Sequence, residues 1–156
     1  MTTQLTVQSI LEKAIQKEMQ SQQLYTGMSE RMIEEAVKDA FRQLSQEEQG
    51  HESLLRKYMR GELGEGALKK GHVLDYEIAE HLDQPDISFC MRLEDIFLLA
   101  ANREKTSHEF YLSLAEVHPP GQVRSLIEQL ASQELEHKKK VEYWYTEVAF
   151  PQTAGG

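Results

Sequence analysis

Cysteine occurs once, as Cys90, so no disulfide can form within the chain, and a reducing compartment is the expected setting. Proline is equally scarce, with 4 in 156 residues, and that removes the signature of a Pro-rich linker or a disordered tract. No apolar run approaches the roughly 20 residues that a membrane-spanning helix needs. Positive charge is in deficit: 17 Lys and Arg against 26 Asp and Glu give a formal charge of −9. Such a balance argues against a nucleic-acid or anionic-membrane surface and suits a protein that takes up cations. The opening stretch MTTQLTVQSI has neither a basic nor an apolar segment, so we expect no leader peptide and a soluble, cytoplasmic protein. With 40% hydrophobic residues, the chain is long enough for one well-buried core and short for two.

What is present is helical period. Val7, Leu11, Ala14, Glu18, Ser21, Tyr25, Met28 and Met32 recur at alternating spacings of three and four, with polar residues such as Lys13, Lys17, Gln20 and Glu30 between them. That pattern predicts an amphipathic helix of about 28 residues, roughly 40 Å long at ~1.5 Å per residue. A second seam runs Val37, Phe41, Leu44, Glu48, His51, Leu55, Tyr58; a third runs Leu93, Phe97, Ala100, Glu104, Ser107, Tyr111, Leu114; a fourth runs Val123, Ile127, Leu130, Glu134, His137, Val141, Trp144. We expect helices over 4–32, 36–60, 87–117 and 120–149, the third capped by a residue between Asp86 and Ser88. Pro119, Pro120 and Gly121 mark the last turn.

The two halves repeat. Ser21 and Ser107, Tyr25 and Tyr111, and Leu44 and Leu130 stand 86 positions apart, and so do Glu18 and Glu104, Glu48 and Glu134, and His51 and His137. Aligning the halves sets 32–36 against the Pro119–Gly121 stretch and places the first turn near Met32 to Ala36. Between the halves, residues 61–86 break the pattern. Gly61, Gly64, Gly66 and Gly71 cluster at its start, Pro85 lies near its end, and HVLDYEIAEHL between them suits a short helix or an extended segment. A connection of that length is unusual unless it crosses the full length of a bundle and lets the third helix start where the second one did. The expected fold is therefore all-α: one four-helix-bundle domain over 1–150, two helix pairs joined by one long crossover, and a frayed tail over 151–156.

Four seam glutamates pose an electrostatic problem. A buried carboxylate without a partner costs several kcal/mol, and like-charge repulsion compounds it. No Lys or Arg occupies a seam position, so the cation has to come from outside the chain. Two divalent ions carry +4 against −4 from Glu18, Glu48, Glu104 and Glu134, with His51 and His137 neutral. One Glu from each of two helices and a Glu-x-x-His pair from each of the other two is the donor set of a carboxylate-bridged dimetal site, and its oxygen-rich character suits iron or manganese. A single Glu-x-x-His arises by accident on many helices; two copies, each preceded by a seam Glu at the same distance, do not. His72 and His81 have no partner at ligand spacing and are not expected to be ligands; His108 lies off the seam and His118 at a helix end, so these two are expected to be solvated, as are Glu47 and Glu52.

The stretches AIQKEMQSQQLY, LSQEEQGHESLL, AANREKTSHEFYLSLAE and LASQELEHKKKVE resemble the four helices of the rubrerythrin branch of ferritin-like di-iron proteins. The resemblance implies a ferritin-like fold and places the metal ligands at Glu18, Glu48, His51, Glu104, Glu134 and His137, with Tyr25 and Tyr111 as tyrosines that donate to the site. It departs in two places. Ser107 stands where rubrerythrins usually carry a further glutamate, which leaves a six-ligand set closer to bacterioferritin-type sites, and the redox-linked shift of iron does not carry over. The paired C-x-x-C motifs of a rubredoxin domain are also missing, so the resemblance implies an external electron donor such as a rubredoxin-like protein.

Charge suggests the chemistry. Two ferric ions would carry +6 against −4, an excess that anions derived from dioxygen or hydrogen peroxide would neutralise. We therefore expect a di-iron oxidoreductase of the ferroxidase or peroxidase type, with manganese or a mixed pair as other occupants. An iron-binding or iron-storage protein is the alternative. A homodimer is expected, with Tyr143 and Tyr145 on the outer face of the last helix at the contact.

Overall fold

The computed structural model describes residues 5–74 and 92–149. The elements run β1 (Leu5–Thr6), α1 (Val7–Arg31), α2 (Glu35–Met59), β2 (Val73–Leu74), α3 (Leu93–Glu116) and α4 (Gln122–Ala149). Helices α1 and α2 pack as one pair and α3 and α4 as the other, which is the two-pair architecture that the repeat predicts. None of the described helices is long and apolar enough to cross a membrane.

Local chemistry sets the ends. Thr6 caps α1, its hydroxyl accepting the Ser9 N–H at 3.2 Å. Met32 and Glu34 adopt extended backbone and turn the chain between α1 and α2 within the expected window, leaving Ile33 at the tip 94% exposed. Helix α2 stops at Gly61, whose φ of 73° is costly for any residue with a Cβ. There the Glu62 N–H reaches Lys57 O at 2.9 Å and the Gly61 N–H reaches Tyr58 O at 3.0 Å, the paired bonds of a Schellman stop. Arg92 is extended ahead of α3, so this helix begins at Leu93, later than the expected start near 87. Residues Asp86 to Ser88, Cys90, His81, most of HVLDYEIAEHL and the tail lie outside the described residues.

The described part of the crossover is a run of turns that ends in the two-residue strand β2. It returns to the start of α1, pairing Leu5 with Leu74 and Thr6 with Val73 in an antiparallel ladder. Beyond the ladder, His72 O accepts the Val7 N–H at 2.8 Å and Lys70 O accepts that of Gln8 at 3.1 Å. Two of the N–H groups that the first turn of any helix leaves unpaired are satisfied in this way.

Two apolar clusters fill the bundle. One holds Ile10, Leu11, Leu55, Phe110, Leu114 and Ile127 among others. The other holds Met28, Phe41, Leu44, Ile96, Phe97 and Val141. Their memberships give the helix directions, since α1 and α4 begin in the first cluster whereas α2 and α3 begin in the second. The third helix therefore starts at the end where the second did, as a full-length crossover requires. Each buried Phe contributes roughly 1.5–3 kcal/mol. Tyr145 also joins this packing, with its ring 6.3 Å from that of Phe97, so it does not lie on the outer face as the sequence suggested. Tyr143 is exposed. Between the clusters, halfway along all four helices, lies a polar layer.

Candidate metal centre

Glu18 stands in the middle of α1 and Glu104 in the middle of α3, while Glu48 with His51 and Glu134 with His137 occupy one turn each of α2 and α4. Residues three apart share a helix face, so each Glu-x-x-His pair projects both side chains inward. All six side chains are buried, Glu48 to 0% exposure. They form two overlapping groups: donor atoms of Glu18, Glu48, His51 and Glu134 lie within 4.8 Å of one another, and so do those of Glu48, Glu104, Glu134 and His137. Glu48 and Glu134 belong to both. His51 Nδ1 is 2.8 Å from Glu134, 3.3 Å from Glu48 and 3.6 Å from Glu18. His137 Nδ1 is 2.7 Å from Glu48, 3.6 Å from Glu134 and 3.7 Å from Glu104. The two imidazoles lie 5.5 Å apart and nearly parallel, at 14°.

The tyrosines cross the bundle. Tyr25 on α1 donates to Glu104 Oε1 on α3, and Tyr111 on α3 donates to Glu18 Oε1 on α1 at 2.5 Å. Each bond holds one carboxylate oxygen and leaves the other, Oε2, facing the cluster. Burial, reinforced by Glu104 beside Tyr25 and Glu18 beside Tyr111, pushes both phenols well above their ordinary pKa, so they remain donors.

The histidines are held from outside. His51 Nε2 lies 2.6 Å from Gln133 Oε1, and His137 Nε2 lies 2.6 Å from Glu47 Oε2. An amide oxygen and a carboxylate only accept, so both Nε2 atoms carry a proton and both Nδ1 atoms face the cluster. Glu47 is thus a partner of the site and not the solvated residue that the sequence suggested. The missed signal was its place next to Glu48, which puts it one helix turn before His51 yet against His137 across the bundle. These groups line a groove of about 610 Å³ between α2 and α4, with Gly50 and Lys140 in its walls.

Burial and mutual repulsion dominate the electrostatics. Desolvation, with the charge of Glu18 beside Glu48, of Glu134 beside Glu104 and of Glu48 beside Glu134, raises these three carboxyls well above the ordinary carboxylate range. Burial also works against Glu18, but its contacts with Glu48 and His51 outweigh it and bring its pKa down. Burial disfavours charge on His51 as well, yet Glu134, Glu18 and Glu48 raise its pKa. His137, desolvated and repelled by His51, falls to about 4. The metal-free cluster therefore keeps protons that an incoming cation would displace.

Other candidates are placed elsewhere. His72 is exposed. His108 is half-buried, its Nδ1 donating to Ala131 O at 2.6 Å. His118 is 2% exposed, which overturns the solvated reading: its Nδ1 donates to Leu114 O at 2.7 Å, and its Nε2 accepts from the Tyr58 hydroxyl at 2.5 Å. Ser107 is half-buried. No seam position holds a cation, but Arg103, one residue off the seam, is buried and reaches Gln20 Oε1 at 3.3 Å.

Five buried atoms of the cluster, Glu18 Oε2, Glu48 Oε2, Glu104 Oε2, Glu134 Oε1 and His51 Nδ1, make no hydrogen bond among the described residues. Burying so many polar atoms without a hydrogen bond is costly unless a cation satisfies them. Oxygen donors in excess, with one imidazole per group and two shared carboxylates, fit a dimetal site. Residues 9–89 and 95–153 match the family model for rubrerythrin. The chain belongs to the rubrerythrin family. The fold of this rubrerythrin-family chain is shared by a solved structure of Thermotoga maritima, a candidate ferritin-like diiron-carboxylate protein, at 23% identity and a TM-score of 0.73, covering 94% of this chain and 99% of that one. No curated protein matches the chain.

Proposed function

We propose that the protein is a di-iron oxidoreductase that reacts with dioxygen or hydrogen peroxide. The observation that carries this reading is the overlap of the two donor groups at Glu48 and Glu134. Carboxylates common to both donor groups would hold two cations near one another, which suits a two-electron reaction, whereas a lone structural ion needs no shared donor. Glu18 and His51 would hold one ion and Glu104 and His137 the other, with Glu48 and Glu134 between them. Four carboxylates and two neutral imidazoles balance two divalent cations, so iron, manganese or a mixed pair satisfies the charge.

The chain's own groups prepare the site. Tyr25 and Tyr111 fix Glu104 and Glu18 by one oxygen and leave the other for a cation. Gln133 and Glu47 hold the imidazoles with Nδ1 inward. The apolar clusters on either side of the layer limit water and strengthen each charge interaction. When bound, the two ions supply one electron each. Two electrons and two protons convert dioxygen to hydrogen peroxide, or hydrogen peroxide to two waters, and an external donor such as a rubredoxin-like protein restores the electrons.

The test is anaerobic mixing of the iron-loaded, reduced protein with each oxidant. A near-ultraviolet absorbance rise with dioxygen favours ferroxidase activity, and one with hydrogen peroxide favours peroxidase activity. No change with either, in protein that elemental analysis shows to hold two iron ions, overturns the enzyme and leaves an iron-binding or storage protein. Sedimentation supports the enzyme if it gives a homodimer and storage if it gives a very large particle.

A further inference from the structure

The site is two-fold in almost every part. Glu18 matches Glu104, Glu48 matches Glu134, His51 matches His137 and Tyr25 matches Tyr111, each 86 positions apart, and the two tyrosine bonds cross the bundle in mirrored fashion. Among the side chains that hydrogen-bond the six candidate ligands, the symmetry fails at one pair. Glu47 and Gln133 are also 86 positions apart (47 to 133), occupy the same place behind the opposite histidine, and hold Nε2 at the same 2.6 Å. One is a carboxylate and the other an amide.

This difference has a direction. A carboxylate that accepts from Nε2–H draws the proton outward, leaves more electron density on Nδ1 and makes that imidazole the stronger donor; an amide oxygen does so much less. Glu47 also brings a negative charge near the His137 position that Gln133 does not bring near His51. Lys140, its Nζ 3.9 Å from Glu47 Oε2, offsets part of that charge. Both groups of this pair are partly exposed, so the offset is incomplete. Outer-shell partners of metal-bound histidine typically change metal affinity by about 10–100-fold.

We propose that Glu47 makes the two ion positions unequal, so that the one held by Glu104 and His137 fills first. The inference rests on the dimetal reading and deepens it. Glu47 acts here as a positioning and tuning residue, and Gln133 is its weaker counterpart.

Nitrogen NMR of the histidine rings, with Zn²⁺ as a diamagnetic probe added to the full chain, reads each position separately. At one equivalent, the His137 Nδ1 resonance should move to its metal-bound position while His51 responds about tenfold less. Glu47→Gln should remove the preference, and Gln133→Glu should bring His51 level. The double exchange, Glu47→Gln with Gln133→Glu, should reverse the order of filling; a merely structural role for either residue would not produce a reversal. Equal response of both rings in the native chain, or an order that survives the double exchange, overturns the proposal while leaving the dimetal reading intact. If Zn²⁺ shifts neither ring at two equivalents, the dimetal reading fails and the proposal with it.

Discussion

Tyr111 on α3 donates its hydroxyl to Glu18 on α1 at 2.5 Å, and so ties the two helix pairs together through a residue of the buried Glu/His cluster itself. Glu18 Oε1 is held while Oε2 is left without a hydrogen bond. The bond is charge-assisted and buried, in the range of about 1.5–3 kcal/mol. Replacing Tyr111 with Phe, or Tyr25 with Phe at Glu104, should cost that much in denaturant unfolding of the metal-loaded protein. It should also slow the absorbance rise with oxidant. Because the two bonds mirror one another, the two variants should suffer alike; a large difference between them would show that the tyrosines do separate work.

Bound metal should dominate stability. At about 100 times its dissociation constant, each ion adds about 2.7 kcal/mol, so two ions should raise Tm by roughly 10–20 °C for a chain of this size. Chelation should lower the melting temperature by that amount, and ferrous iron added without oxygen should restore it. An unchanged Tm would mean that the buried carboxylates find their partners within the chain.

Neutralising one shared carboxylate should separate stability from function. In Glu134 the folded pKa is raised from 4.5 by burial and by the charge of Glu48. The folded state therefore binds more protons than the unfolded one, and stability falls as pH rises above about 4.5. Glu134→Gln removes that slope. The metal-free variant should be about 1–3 kcal/mol more stable than the native chain at pH 8, with the gap closing toward pH 5, while losing the ability to hold two ions. A metal-free variant less stable than native at pH 8 would contradict this reading of the cluster.

His118 should give the opposite slope, outside the metal centre. It accepts from the Tyr58 hydroxyl, whose oxygen in turn accepts the Leu68 N–H at 3.1 Å, and this chain of bonds pins the start of the crossover to the end of the bundle. Burial lowers the pKa of His118 from 6.5, and His72 and Arg124 add repulsion. A histidine with a depressed folded pKa binds fewer protons folded than unfolded. The stability it contributes is present above about 6.5 and is lost as pH falls below that. Comparing native and His118→Gln unfolding between pH 5 and 8 should show a difference that shrinks on the acid side; a difference constant with pH would rule out protonation of His118 as its source.

The fold and the inner shell were legible because both depend on period. A seam that places Glu18 four residues after Ala14 and three before Ser21 leaves the carboxylate no route to solvent, and the repeat at 86 fixes what it meets. The outer shell was not legible in the same way. Glu47 sits beside the seam on its own helix, and only the approach of α4 converts that flank into a contact with His137. His118 was misjudged for a related reason: a histidine after the last helical turn is exposed in isolation, and Tyr58 from another helix, with the returning crossover at Leu68, buries it. Tyr145 likewise depended on Phe97 arriving from α3. Periodicity describes one helix at a time, whereas these residues owe their environments to a second element.

The central claim is that Glu48 and Glu134 each touch two cations. Anomalous scattering at the iron edge, from crystals of iron-loaded protein, tests it most directly. Two peaks per chain are expected, one among Glu18, Glu48, His51 and Glu134 and one among Glu48, Glu104, Glu134 and His137. A single peak, or iron bound only at the surface while the six side chains stay unliganded, would contradict the account.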